Sequence, residues 1–283
     1  MADFLEGMAI ASRRRTAAAA RREAPAALRS RADDAPPAPP LALSPDGFDL
    51  IAEIKRRAPG GAATRGTDPD ALAAAYAKGG AAAVSVLTEP LGFDGSLADL
   101  EAAGRVLAAA PHPVPTMRKD FLVDPYQVFE ARAAGAGGVL LIAELTSPAG
   151  PADGDALLDA AVEAGVWVLI EAFGDAHLDA AVRLGRQAEA RSVRALVGVN
   201  VRDLRSLAVD RGRLERLASG LPSDLPAVAE SGMRTPGHAA AAAKLGYRLA
   251  LVGRALSGAS DPRGLVAEML RAGRAARREA AWA

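Results

Sequence analysis

The chain has 283 residues, half of them apolar, with 34 basic and 34 acidic side chains. That length fits one large α/β barrel or two ordinary domains, and balanced charge gives no global field to recruit nucleic acid or an anionic membrane. Cysteine is absent, which excludes disulfides, thiolate metal sites and a thiol nucleophile. His112, His177 and His238 lie far apart with no HxH or HExxH spacing, so no metal site is expected, carboxylates alone remaining as possible Mg²⁺ ligands.

The chain opens MADFLEGMAIASRRR, with early acids and a short apolar run, which is unlike a secretory signal. No stretch approaches the roughly 18 apolar residues of a membrane span, and a cytoplasmic protein is expected. Residues 1–32 are rich in Ala and Arg with a helical pattern. Residues 33–47, DDAPPAPPLALSPDG, read as an extended linker, because proline is excluded from helix interiors. Residues 1–47 are therefore a helical extension with a Pro-rich linker, and 48–283 the main domain.

From residue 50 onward short apolar runs alternate with alanine-rich helical stretches. Strands are predicted at 50–54, 82–87, 114–117, 138–143, 166–170, 195–199, 226–229 and 249–252. They recur every 23–32 residues or about that. Helices are predicted between them at 69–78, 97–109, 124–134, 153–164, 176–184 and 235–245. Alternating strand and helix implies a parallel sheet. Eight units in about 225 residues match a closed (β/α)8 TIM barrel. A doubly wound open sheet is the runner-up, but no GxGxxG follows the first strand.

In such a barrel the chemistry sits at the C-terminal ends of the strands. Those ends are unusually polar. The first carries Glu53 and Lys55, two apart and so on one face. The second carries Ser85 and Glu89, the third Lys119, the fifth Glu171, the sixth Asn200 and Arg202. The seventh ends Glu230-Ser231-Gly232 and the eighth at Gly253. Singly, each is an ordinary solvated charge, turn former or cap. Together they gather both signs of charge at one mouth, which suits acid–base chemistry. Lysine occurs only at 55, 78, 119 and 244 in an arginine-rich chain; unlike arginine, lysine can be tuned to exchange a proton. Glycine-flanked loops after strands seven and eight are the usual phosphate site of a barrel.

The ordered set IAEIK, SVLTEP with FDGS, RKDF, LIE, GVNVRDL, AESG and VGRAL resembles the indole-3-glycerol-phosphate synthase family of tryptophan biosynthesis, over about residues 48–258. The N-terminal helix and linker resemble that family's extension. The resemblance implies a carboxy-lyase without metal or cofactor. Its substrate is a phosphorylated small molecule, 1-(2-carboxyphenylamino)-1-deoxyribulose 5-phosphate. The ring closes between the aryl carbon and C2 of the sugar, CO₂ leaves, and water leaves. By resemblance Lys119 is the acid at the C2 carbonyl, Lys55 and Glu53 serve the dehydration, and Glu171 is a further acid–base or orienting group. Asn200 and Arg202 hold the anthranilate carboxylate and sugar hydroxyls, with Phe93 and Phe121 flanking the ring. Ser231, Gly232 and Gly253 hold the phosphate, with Lys55 a further candidate; Arg254, which is not a family residue, either adds charge to that site or points outward from its helix.

The chain departs from the family where SPSKG usually follows the first lysine. Here the loop has Ala58, Pro59, Gly60 and Gly61. The serine lost at Ala58 is expected near the aromatic carboxylate. Arg254 stands where a small residue, often serine, follows the glycine. Ala172-Phe173 after Glu171, and Val201 beside Asn200, are further departures. Two alternatives follow: a paralogue acting on a modified anthranilate adduct in specialised metabolism, or a non-catalytic phosphate-ligand-binding barrel. A monomer is expected, with no nucleic-acid or membrane partner.

Overall fold

The computed structural model describes residues 3–45, 47–57, 68–147 and 150–281. Two helices come first, α1 (Phe4–Arg22) and α2 (Pro25–Asp34). The single helical segment expected over 1–32 is broken at Glu23 and Ala24, because Pro25 opens a new helix in its first turn. Then follow β1 (Asp49–Ile54), α3 (Pro69–Gly79), β2 (Ala83–Leu87), α4 (Pro90–Phe93), α5 (Leu97–Ala108), β3 (Thr116–Lys119), α6 (Tyr126–Ala133) and β4 (Gly138–Ile142). The second half runs α7 (Gly154–Ala164), β5 (Trp167–Ala172), α8 (Asp175–Ala190), β6 (Ala195–Asn200), α9 (Arg213–Arg216), β7 (Ala227–Glu230), α10 (Pro236–Lys244), β8 (Leu249–Val252), α11 (Arg254–Ser257) and α12 (Pro262–Ala281).

The eight strands pair in sequence order, all parallel, and β8 closes on β1. The closed barrel expected from the alternation is therefore present, and the open sheet is excluded. Every residue of β1, β2, β4, β5, β6, β7 and β8 is buried, as parallel strands covered on both faces must be. Local chemistry sets the helix starts: Asp68, Ser96, Asp153 and Thr235 each accept an N–H from the first turn of the helix they precede.

Two boundaries moved for physical reasons. The third strand was expected over 114–117 but spans Thr116–Lys119; Pro113 and Pro115 have no N–H to give the ladder. The eighth helix was expected to stop near Gly185, but it continues to Ala190. That glycine is a close-approach position, where a Cβ would stand 2.8 Å from Leu225 Cδ1.

The two ends of the barrel are closed differently. At the N-terminal end, α12 lies against Phe48, which fills the space a side chain at Gly273 would need, and Arg274 binds Phe48 O and Asp49 at 3.0 Å each. At the C-terminal end, α1 is fastened over the loops. Phe4 N donates to Arg205 O at 3.2 Å, and Ser12 Oγ donates to Phe121 O at 2.5 Å. The extension thus meets the end where the site lies.

Candidate active site

One cavity of about 760 Å³ opens at the C-terminal end of the barrel. Glu53, Lys55, Phe93, Lys119, Phe121, Glu171, Asn200, Arg202, Ser231, Gly232, Gly253 and Arg254 all line it. Ala58, also expected in the site, lies outside the described residues. Ser85 and Glu89, read as strand-end residues, do not line the cavity. Glu89 is used elsewhere: its carboxylate accepts Leu91 N and Gly92 N at the start of α4 and pairs with Arg15.

Glu53 and Lys55 form an ion pair at the end of β1. The absence of a side chain at Gly253 makes room for it. A Cβ there would stand 2.7 Å from Lys55 Nζ and closer still to Glu53 Oε1. Gly253 thus admits the pair as well as turning the chain into α11.

Across the cavity floor, Lys119 Nζ donates to Glu171 Oε2 at 2.8 Å and to Glu230 Oε2 at 3.1 Å. Asn200 Nδ2 donates to the other Glu171 oxygen at 2.9 Å. Both glutamates are buried, and their protonation states separate. Burial pushes the Glu230 carboxyl up, the Glu171 charge adds to this, and Lys119 offsets only part, so Glu230 sits well above the ordinary carboxyl range. Burial also opposes the Glu171 carboxylate, but Lys119 and hydrogen bonds from Glu230 and Asn200 overcome it and hold that group below its ordinary value. Burial disfavours the Lys119 cation, yet Glu171, Glu230 and Glu53 outweigh it and raise the ammonium above its ordinary value. The floor therefore sets a favoured cation, a carboxylate whose charge is favoured and a carboxyl whose proton is favoured within hydrogen-bond reach. Carboxyls driven apart in this way mark acid and base assignments.

Glu230 stood among the polar strand ends, but no role was assigned to it from sequence. Its signal is positional. It is the last residue of β7, in register with Asn200 at the end of β6. Gly198 supplies a second signal, since a Cβ there would collide with Glu230 Oε1.

The wall formed by loops 2 and 3 is aromatic. Phe93 and Phe121 have ring centroids 6.3 Å apart, and Phe4 of α1 meets them edge-on at 6.4 and 6.1 Å. Arg15, also from α1, braces this wall. It binds Glu89 at 3.0 Å and Asp120 at 2.7 Å. Asp120 follows Lys119 and accepts Phe121 N at 2.8 Å. Burial opposes the Asp120 charge, but Arg118 and Arg15 overcome it and keep the carboxyl below its usual range. Phe4 and Arg15 escaped the sequence reading, because nothing in a helical pattern fixes where the helix docks.

The wall of loops 6 to 8 is built from backbone and arginines. Ser231 and Gly232 both take left-handed backbone, φ 65° and 74°, a conformation serine rarely adopts. Asn200 is held on both sides, since its Oδ1 accepts Arg202 N at 2.9 Å while its amide binds Glu171. It orients Glu171 and loop 6. Arg202 donates to Leu207 O at 3.1 Å. Burial, then the nearby Arg254 charge, hold the Arg202 guanidinium below its ordinary value. Among the described residues no group of three or more His, Asp or Glu is placed to hold a metal ion, and no helix is long and apolar enough to cross a membrane.

Comparison with known proteins bears on this geometry. The family model described as indole-3-glycerol phosphate synthase matches residues 8–269. Indole-3-glycerol phosphate synthase of Rhodococcus jostii (strain RHA1) is 40% identical over 251 residues, covering 88% of this chain and 87% of that protein. The protein of the same name from Mycolicibacterium smegmatis is 41% identical over 252 residues, covering 87% and 86%. Among solved structures, thiamine phosphate pyrophosphorylase from Pyrococcus furiosus aligns with a TM-score of 0.55 at 16% identity, over 82% of this chain and 97% of that one. At that identity the likeness speaks for the barrel alone. The family match over nearly the whole chain and identities of 40% and 41% over most of two relatives carry the assignment: the chain belongs to the indole-3-glycerol phosphate synthase family.

Proposed function

We propose that this chain catalyses decarboxylative ring closure and dehydration of 1-(2-carboxyphenylamino)-1-deoxyribulose 5-phosphate to indole-3-glycerol phosphate. The observation that carries the reading is Lys119 held between Glu171 and Glu230 at 2.8 and 3.1 Å. Ring closure needs a cation at the C2 carbonyl. As the aryl carbon bonds to C2, the carbonyl electrons move to oxygen, and Lys119 stabilises and protonates that oxygen. Loss of CO₂ returns the bonding electrons to the ring. Dehydration then needs an acid for the departing hydroxyl and a base for the proton on the adjacent carbon. Lys55 and Glu53 are paired at β1 for these tasks, and Glu171 is the second carboxylate within the same cavity.

The phosphate is taken by Ser231, Gly232, Gly253 and Arg254, and the aryl ring by Phe93 and Phe121. Arg202 meets the aryl carboxylate, its planar fork matching that group. One chain supplies every group named, and we place the reaction in a cytoplasmic monomer.

The test is turnover. Purified protein mixed with the substrate is expected to generate indole fluorescence. Lys119→Met is expected to lower kcat by about a thousandfold, the scale of losing one preorganised charge at the reacting oxygen. Tight binding of the substrate with no fluorescent product would refute the reading.

A further inference from the structure

The cavity is electrically lopsided. Its loop 2 to 4 side is lined by Leu87, Phe93, Phe121, Leu140 and Ile142, and the one acid there, Asp120, is already bound by Arg118 and Arg15. Its loop 6 to 8 side carries Arg202, Arg211, Arg234 and Arg254 against a single carboxylate, Glu215. The cavity floor between them is nearly neutral, because Lys55 and Lys119 are paired with carboxylates.

These arginines differ from their neighbours. Asp210 takes Arg216 at 2.5 Å and lies 3.9 Å from Arg213, and Arg213 also donates to Asn200 O at 2.8 Å. Arg211 lies between these paired residues in sequence. Among the described residues, Arg211, Arg234 and Arg254 have no ion-pair partner. All three are exposed, so their charge faces solvent at the cavity edge. Arg202 and Arg254 are near enough for one to disfavour the other's charge. An incoming anion relieves such a set of like charges. Charges of one sign at a cleft edge raise the local concentration of the opposite sign and speed its capture.

We propose that Arg211 and Arg234, acting with Arg254, form a cationic rim that captures the substrate phosphate end first and so delivers the aryl end to the aromatic wall. The inference rests on the synthase reading. Arg211 and Arg234 touch no reacting atom; they determine how fast and in which orientation the anion arrives. The rim favours the dianionic phosphate over the singly charged aryl carboxylate at the other end of the molecule.

The experiment measures kcat/KM for the carboxyphenylamino-deoxyribulose phosphate across ionic strength in the unmodified protein, R211Q/R234Q and R211K/R234K. At low salt, where charges act over about 30 Å, R211Q/R234Q is expected to lose about tenfold in kcat/KM, with kcat changed by less than about twofold. The gap is expected to close at high salt, where the range falls to about 3 Å. R211K/R234K is expected to keep the unmodified salt slope, since it keeps the charge. An unchanged salt slope in R211Q/R234Q overturns the rim. So does a lysine variant as impaired as the glutamine one, which would mean guanidinium geometry matters and charge does not. Absence of turnover in the unmodified protein overturns instead the synthase reading beneath it.

Discussion

The two walls of the cavity are built on opposite plans. The aromatic wall is held by packing and buried charge pairs. Phe93, Phe121 and Phe4 meet as a cluster, and Arg15 ties two strand ends to α1 through Glu89 and Asp120. The wall of loops 6 to 8 has no such brace. Ser231 and Gly232 hold it by a left-handed turn, Gly253 by having no side chain, and among the described residues Arg211, Arg234 and Arg254 have no ion-pair partner. A wall that binds a ring must be shaped before the ring arrives, since apolar contact rewards only a fitted surface. A wall that binds phosphate works with backbone and waiting charge.

The sharpest way to break the contrast is at Gly253. Gly253→Ala puts a Cβ 2.7 Å from Lys55 Nζ and nearer still to Glu53 Oε1. The pair must move, and a displacement of about 1 Å at a reacting group costs on the order of a hundredfold. A fall of that size in kcat is expected from fluorescence turnover, with the melting temperature little changed. Full activity would mean that the β1 pair tolerates displacement and that its present geometry is not the working one.

The aromatic wall is expected to fail differently. Arg15→Ala strips both carboxylates of a partner they reach at 3.0 and 2.7 Å. Removing one partner of a buried pair costs about 3–5 kcal/mol. Arg15 is 27% exposed, and Asp120 keeps Arg118, so about 2 kcal/mol is the reasonable expectation here. Denaturant unfolding measures it. KM is expected to rise about tenfold as the ring loses its preformed wall, with kcat changed by less than about threefold. A loss confined to kcat would instead assign Arg15 to the positioning of Lys119.

The barrel was legible because a strand–helix alternation sustained through eight units admits few topologies, and the strand ends were legible because a closed barrel brings them to one place. Edges were less so. The two prolines before Thr116 moved β3, and Gly185 broke a helical pattern in sequence without breaking the helix. Within the site, Glu53, Lys55, Lys119 and Glu171 could be picked out by strand parity and chemistry. Phe4 and Arg15 could not, because both depend on how α1 docks, Arg15 reaching Asp120 across 105 residues of sequence. Glu230 was hidden in another way. AESG reads as a phosphate turn, while the contact that matters is with Lys119, 111 residues earlier, and only barrel closure creates it.

Glu230 also offers the subtlest test, because it sits on the floor that both walls share. Its carboxyl is raised well above the ordinary range by burial and by Glu171. In the unfolded chain it ionises near its ordinary value of about 4.3. Between that value and its folded one, the unfolded state has released a proton that the folded state keeps. Stability from this group is therefore fully present below about pH 4.3 and declines as pH rises toward the folded value. Glu171 runs the other way: its carboxyl is lowered, so its contribution is present above the ordinary carboxyl value and lost as pH falls through the folded one. Glu230→Gln keeps a neutral donor of the same shape but cannot ionise in either state. The variant is expected to flatten the decline in melting temperature above about pH 4.3 and to melt a few degrees higher at neutral pH. A parallel pH profile for variant and unmodified protein would mean that Glu230 is ionised in the folded state. Lys119 would then face two carboxylates, and the floor would lose the neutral acid that separates it from an ordinary buried ion pair.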